Sequence, residues 1–328
     1  MGFEGLAPSV ALLIAGVLLD ALFGDPQFRF HPIRLMGITL SASEKFLRAS
    51  GLNGYGGGCL LFGILVVVWV ALPGIVIMGL YRSSAVAGMI AHVLTVYAFF
   101  ALRDLIDHVR AVEKAVTRND LKTARHAISM LVGRDTDKMD FAACRRAAIE
   151  SLSENFVDGY VSAVFWYVLL GVPGLLLFKV ASTMDSMVGY KTPTYFRFGW
   201  CGARVDDVMN YLPARLGWLI IGLSALPFAG LSARKAWRIG WEQHSVLPGP
   251  NPGWSEASMA GALQRRLIGP IWKDGARVTE IWIGAPEDPP AGNDDDDVIK
   301  AIRLTVAASI LVLVFGIVFL LQARSMWP

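Results

Sequence analysis

Gly58-Cys-Leu-Leu-Phe-Gly-Ile-Leu-Val-Val-Val-Trp-Val-Ala-Leu-Pro-Gly-Ile-Val-Ile-Met-Gly-Leu80 contains no charged side chain. A helix needs about 20 such residues to cross a hydrocarbon core. Tyr81-Arg-Ser-Ser84 then separates it from a second apolar run at 85–102, so the two read as an antiparallel helical hairpin in a bilayer. Further apolar segments lie at 7–23, 161–181, 212–231 and 304–321. Apolar residues make up 54% of the 328 and charged residues only 17%, with a mean hydropathy of +0.49. A soluble domain of this size carries more surface charge. The expected fold class is all-α: a polytopic helical membrane protein with a cytosolic helical hairpin and re-entrant or kinked membrane segments, forming one domain over 1–328.

The first run has neither a preceding basic residue nor a following small-residue cleavage site, so it reads as a retained helix rather than a secretory signal. Cys59, Cys144 and Cys201 are widely spaced and read as reduced packing residues. A net charge of +3 is too small and dispersed for nucleic-acid binding.

Four polar stretches separate the apolar ones: 24–57, 103–160, 182–211 and 232–303. Lys and Arg number ten in 103–160 and nine in 232–303, against only Arg82 in the 81–84 turn. The positive-inside bias places both long stretches in the cytosol. Six simple crossings would then leave 182–211 outside. Gly171-Val-Pro-Gly174 interrupts one apolar segment, and Pro227 with Gly230 interrupts another, so both are expected to kink or re-enter. Within the insertion at about 103–160, Leu105, Val109, Val112 and Val116 mark one helix. Asn119-Asp120 marks a break, a second helix follows until Gly133, and a third starts near Asp140. The polar loop region at about 232–303 ends in 287–297, which reads as a solvated linker whose Asp294 to Asp297 cap the last helix.

In the third of those helices Glu150, Glu154 and Asp158 follow at i, i+4 and i+8, stacking three carboxylates on one face. Like charges at that spacing repel, so either a cation such as Mg²⁺ with phosphate sits there, or arginines such as Arg134, Arg145 or Arg146 pair with them. Asp206, Asp207 and Asn210 form a second set, suited to a hydrated hard cation or to helix capping. Between the two, Ser182-Thr-Met-Asp-Ser-Met-Val-Gly-Tyr-Lys191 presents Asp185 and Lys191, a carboxylate and a phosphate-binding cation. Asp25, Arg29, His31 and Arg34 crowd together after the first helix, and the Arg34 fork suits phosphate. The rigid loop from His244 to Glu256 holds Asn251 among prolines, and Trp254 offers a face for a planar ligand. No Walker phosphate loop occurs.

In order and wording these segments resemble the adenosylcobinamide-phosphate synthase family, known as CbiB or CobD. The likeness runs through Gly24-Asp25-Pro26 with His31-Pro-Ile-Arg34, Val132-Gly-Arg-Asp-Thr136, Glu150-Ser-Leu-Ser-Glu-Asn-Phe-Val-Asp-Gly159 and Met184-Asp-Ser-Met-Val-Gly-Tyr190. It continues in Phe198-Gly199, Asp206-Asp207, Asn210, Pro213-Ala-Arg-Leu216, Asn251-Pro-Gly-Trp254, Ala260-Gly-Ala-Leu263 and Gly269-Pro270. Ser182 replaces the family's usual Asn, the proline loop is longer than usual, and Ile271 to Gly275 stands in for an aromatic-rich stretch.

The resemblance implies an ATP- and Mg²⁺-dependent ligase of cobalamin biosynthesis. It would join (R)-1-amino-2-propanol O-phosphate, or aminopropanol, to the free carboxylate of adenosylcobyric acid. On that reading Glu150, Glu154, Asp158 and Asp185 are catalytic candidates, and Glu154, Asp158, Asp206 and Asp207 are metal candidates. Substrate-binding candidates are Asp25, His31, Arg34, Arg134, Asp135, Asn155, Tyr190, Lys191, Asn210, Arg215, Asn251 and Trp254. The expected setting is the bacterial inner membrane, multi-pass, with a cytosolic active site and other membrane-associated enzymes of the pathway as partners. Three rival readings are a Mg²⁺-diphosphate prenyltransferase, which needs more spans and paired Asp-rich motifs, a non-catalytic membrane sensor, which an unbroken acidic stripe disfavours, and a transporter, disfavoured because the polar groups concentrate outside the apolar segments.

Overall fold

The computed structural model describes residues 4–25 and 29–326, with the backbone alone for 324–326. Pro26, in the first motif of the resemblance, lies outside the described residues. The architecture is all-α and polytopic, as the patterning predicts. Among the described residues, four helical runs are long and apolar enough to cross a membrane: Tyr55–Ser83, Ala85–Thr117, Phe141–Val188 and Asp297–Ala323. The other two apolar segments form shorter helices, α1 (Val10–Phe23) and Tyr211–Ala225. At 1.5 Å per residue these reach roughly 21–23 Å, less than a hydrocarbon core of roughly 30 Å. Backbone contacts divide the chain into two compact units.

The first unit comprises Met1–Ala101, Ser162–Asn210 and Leu313–Pro328. It holds α1, α2 (Pro32–Ala49), α3 (Tyr55–Val66), α4 (Leu72–Ser83), α5 (Ala85–Phe99), α9 (Ser162–Val188) and α10 (Trp200–Met209). A π-helical turn, Val67–Ala71, joins α3 to α4. It lies beside Pro73, whose missing N–H removes a helical donor for the Trp69 carbonyl. Leu60, Val67, Leu72, Ile75 and Val76 along this hairpin arm, and Val86, Ile90 and Leu94 on α5, are exposed. Such a continuous apolar surface suits lipid rather than water.

The interruption expected at 171–174 is present. Gly171 has φ 66° and ψ −149° inside α9, with Pro173 just after it. A Cβ at Gly171 would come within 2.0 Å of the Leu6 carbonyl oxygen, so only glycine fits. The same region secures the N-terminal segment. His92 Nδ1 meets the Gly5 carbonyl at 3.1 Å, His92 Nε2 meets the Tyr167 hydroxyl at 2.9 Å, and the Ser9 N–H donates to that hydroxyl at 3.1 Å.

The second unit comprises Leu102–Val161 and Tyr211–Val312. Its helical hairpin is α6 (Leu102–Thr117) and α7 (Leu121–Ser129). Asp120 caps α7 by accepting from the Thr123 N–H at 3.0 Å, and Asn119 takes the left-handed conformation (φ 56°) at the break. Helix α7 ends at Ser129, earlier than the expected Gly133. Asp140 caps α8 (Phe141–Phe156) through the Ala143 N–H.

The polar region after 232 is more ordered than a loop. It contains α12 (Ala233–Gln243), α13 (Pro252–Leu263) and four short strands, and α11 (Tyr211–Ala225) packs beside the two helices. Strands β1 (Leu267–Ile268) and β4 (Trp282–Ile283) pair antiparallel, as do β2 (Ile271–Lys273) and β3 (Ala276–Thr279). The aspartate run before α14 (Asp297–Met326) is solvated only in part: Asp295 and Asp296 are exposed, but ion pairs tie the run down. Asp294 and Asp297 pair with Arg265, and Asp295 pairs with Arg145, each at 2.7–2.8 Å. Asp297 is buried and also accepts the Gly292 N–H. Three of the four adjacent carboxylates are held by arginines distant in sequence, which no local pattern reveals.

Candidate functional site

Of the acidic helix face expected from Glu150, Glu154 and Asp158, the two glutamates lie on α8 and Asp158 follows in a π-helical turn, Val157–Val161. Glu150 is buried. It pairs with Arg134 and accepts the Ile268 N–H at 2.8 Å, which ties α8 to β1. The arginine alternative therefore describes Glu150, which serves as a buried anchor. Glu154 is exposed.

Arg134, Glu150 and Glu154 line a cavity of about 460 Å³, a volume in the range of small-molecule sites. Lys273 and Thr279 of the β2–β3 hairpin join them, and Leu247, Pro248, Pro252, Ile268, Ile271 and Ile281 make much of the wall. One further lining carboxylate was not selected from the sequence, Glu256 on α13. Burial is the chief cause that pushes its pKa well above the usual carboxylate range. The charges of Glu154 and Glu150 add to this, Arg134 opposes it, and Asp158 contributes in the same sense as the glutamates. The signal available for Glu256 was a lone acid in the run Ala257, Ala260, Gly261, Ala262, whose small residues mark a buried helix.

Several substrate-binding candidates of this unit hold structure. Asp135 accepts the Gly275 N–H at 2.7 Å and its own N–H donates to the Trp272 carbonyl, fixing the β2–β3 turn. Asn155 donates to the Ser151 carbonyl and hydroxyl. Arg215 donates to the Tyr211 carbonyl at 2.7 Å and to Asn251 Oδ1 at 3.2 Å, and lies over the Tyr211 ring. Trp254 does not offer a free stacking face. It is buried, His244 stacks on it with centroids 4.0 Å apart, and Trp218 and Trp241 surround it. The proline-rich loop folds its own aromatic ring away because an indole gains more from burial than from exposure in an empty groove.

The first unit carries a second polar group. Ser162 donates to Asn210 Oδ1, and Asn210 Nδ2 donates to Asp206 Oδ2 at 3.0 Å. Asp206 Oδ1 is buried without a hydrogen-bond partner among the described residues. Burial first, and then the Asp185 charge, push the Asp206 pKa up to about 7. Asn210 opposes this, Asp207 adds to it, and Lys179 opposes it. Lys179 is buried on α9, and a lysine in an apolar run was itself a signal that sequence reading passed over. Asp207 meets Arg204 at 3.2 Å. Tyr190 and Lys191 are exposed beyond α9. Near the start of α2, His31 Nε2 lies 2.8 Å from Asp25 Oδ1, while Arg34 is exposed.

Among the described residues no three His, Cys, Asp or Glu side chains gather closely enough to cage a metal ion. Glu154, Asp158, Asp206 and Asp207 therefore make no preformed metal centre. The unpartnered oxygen of Asp206, with Asp185 and Asp207 near it, fits the looser habit of Mg²⁺, which keeps several waters and uses one or two carboxylates with substrate phosphates.

No solved structure matches the chain. Curated relatives do, along nearly their full length. The chain is 36% identical over 320 residues to the cobalamin biosynthesis protein CobD of Sinorhizobium fredii, covering 93% of this chain and 97% of the relative. It is 38% identical over 312 residues to CobD of Rhizobium meliloti, covering 92% of each. It is also 37% identical over 300 residues to the cobalamin biosynthesis protein CbiB of Salmonella typhi, covering 90% and 92%. The family model described as CobD/Cbib protein matches residues 13–305, and with these relatives it establishes that the chain belongs to the CobD/CbiB family of cobalamin biosynthesis proteins.

Proposed function

We propose that this protein is an ATP-dependent acid–amine ligase of the bacterial inner membrane. It would join (R)-1-amino-2-propanol O-phosphate, or aminopropanol, to the free carboxylate of adenosylcobyric acid. The observation that carries the reading is the cavity of about 460 Å³ whose lining combines carboxylates, Glu150, Glu154 and Glu256, with the cations Arg134 and Lys273. A substrate bearing both an ammonium and a phosphate needs both kinds of group.

A carboxylate is a poor electrophile, so it must be activated by a nucleoside triphosphate before an amine can attack it. Asp206, with Asp185 and Asp207, would hold Mg²⁺, which when bound neutralises phosphate charge. Exposed Lys191 and Arg34, in the same unit, are the candidates for phosphate oxygens. In the cavity of the other unit, Glu154 is the candidate that orients the amine. The ten Lys and Arg of 103–160 support a cytosolic position for this chemistry, where ATP is present. Other membrane-associated enzymes of the pathway are the expected partners.

The test uses purified protein with adenosylcobyric acid, aminopropanol phosphate and MgATP, followed by mass spectrometry. The amide product, dependent on all three reactants, is expected. Its absence with both the phosphorylated and the free amine, from protein that still melts cooperatively, would refute the ligase reading.

A further inference from the structure

We propose that Glu256 is the recognition group for the cationic nitrogen of the amine substrate, making the cavity between α8, α13 and the β2–β3 hairpin the subsite for a phosphorylated alkylammonium. The inference rests on the ligase reading for the identity of the amine, and adds a residue and a location to it.

Glu256 is only 5% exposed, yet it lines the cavity, and no hydrogen bond from another described residue reaches its carboxyl. A buried carboxyl left without a donor is costly unless a ligand group completes it. Its surroundings specify the sign of that group. Glu154 and Glu150 raise the local negative charge, and Arg134, the cation acting on Glu256 from across the cavity, is already committed to Glu150 through Nη2. The field at Glu256 therefore favours an incoming cation.

The rest of the lining decides between an ammonium and a metal ion. Ile268, Ile271 and Ile281 with Leu247 give an apolar wall, which suits carbon chains and supplies no oxygen ligand of its own. No three acidic, histidine or cysteine side chains gather here among the described residues. A short alkylammonium places its nitrogen by Glu256 and its carbons along the isoleucines. Lys273 on β2, and the Arg134 edge not engaged with Glu150, line the same cavity and complement a phosphate at the other end of such a molecule.

Binding can be measured without ATP or corrinoid, so the result does not depend on turnover. Purified protein in detergent is titrated calorimetrically with aminopropanol phosphate and with isopropyl phosphate, in which a hydrogen replaces the amine. Wild type is expected to prefer the amine by at least tenfold. Glu256→Gln should abolish that preference while binding the deamino analogue as before, and Glu256→Asp should retain part of it. Gln copies the neutral carboxyl that burial favours in the empty cavity, so the melting temperature of Glu256→Gln should stay at or above wild type and loss of preference would not reflect unfolding. A Glu256→Gln protein that still discriminates tenfold overturns the proposal, as does a wild type that does not discriminate. Discrimination through Glu256 without amide formation would sink the ligase reading and leave this inference standing; amide formation with no effect of Glu256→Gln would do the reverse.

Discussion

Breaking the Glu150–Arg134 pair tests whether Glu150 anchors the fold or acts in chemistry. Both side chains are largely buried, at 8% and 12% exposure, and Glu150 also holds the Ile268 N–H. Glu150→Gln keeps an oxygen for that N–H but removes the charge facing Arg134. Arg134→Met leaves the carboxylate buried with one donor. Removing one partner of a buried pair costs about 3–5 kcal/mol; the cavity admits water beside Arg134, so the low end, about 3 kcal/mol, applies to each single change. At about 2–4 °C per kcal/mol this is a fall of about 6–12 °C in melting temperature. In the double variant neither charge is stranded, and the loss should be smaller than the sum of the singles by at least about 1 kcal/mol. Intrinsic-fluorescence melts of the four proteins in one detergent give the cycle. Additive losses, or singles that melt with wild type, would show that the pair does not anchor α8 to β1.

Three further outcomes are expected. Glu154→Gln should cut turnover at least tenfold, about 1.4 kcal/mol in barrier, with an unchanged melt; wild-type turnover would remove Glu154 from the site. Asp206 is held protonated up to about pH 7 in the folded chain, against 3.8 ordinarily. Its contribution is thus complete below about pH 4 and is lost as pH rises through about 7, by on the order of 2–4 kcal/mol. In metal-free buffer, Asp206→Asn should flatten the decline in melting temperature between pH 4.5 and 8, and a decline identical to wild type would count against the assignment. Gly171→Ala should destabilise by at least about 2 kcal/mol, because it adds a carbon against the Leu6 carbonyl at a positive φ, and a wild-type melt would disprove that close approach.

Membrane helices were legible because a bilayer imposes a length and an absence of charge, and local sequence records both. The break at Gly171 was legible for the same reason, since Gly and Pro act on their own backbone. Partnership was not. Asp294 to Asp297 read as solvated because nothing nearby announces Arg145 and Arg265, which reach them from elsewhere in the chain. A period of 3.6 carries the stripe straight on to Asp158, and it does not announce the wide turn at 157–161. Trp254 was given a ligand's face that His244 occupies. Glu256 and Lys179 are each a lone charge in the local sequence, with no neighbouring charge to mark a cluster.

The bonds that secure the N-terminal segment also fix an order of events during synthesis. Ser9 and Tyr167 are 158 residues apart, and His92 and Tyr167 are 75 apart. At about 5–20 residues per second the ribosome needs about 8–32 s to deliver Tyr167 after Ser9. Until then the Ser9 N–H lacks the partner it has in the finished fold, and an unsatisfied backbone group in hydrocarbon costs several kcal/mol. The nascent segment must therefore wait at the wet edge of the bilayer, or beside the insertion machinery, until the second half of the chain arrives. Of the residues in this bonded set, the first made is among the last to lock.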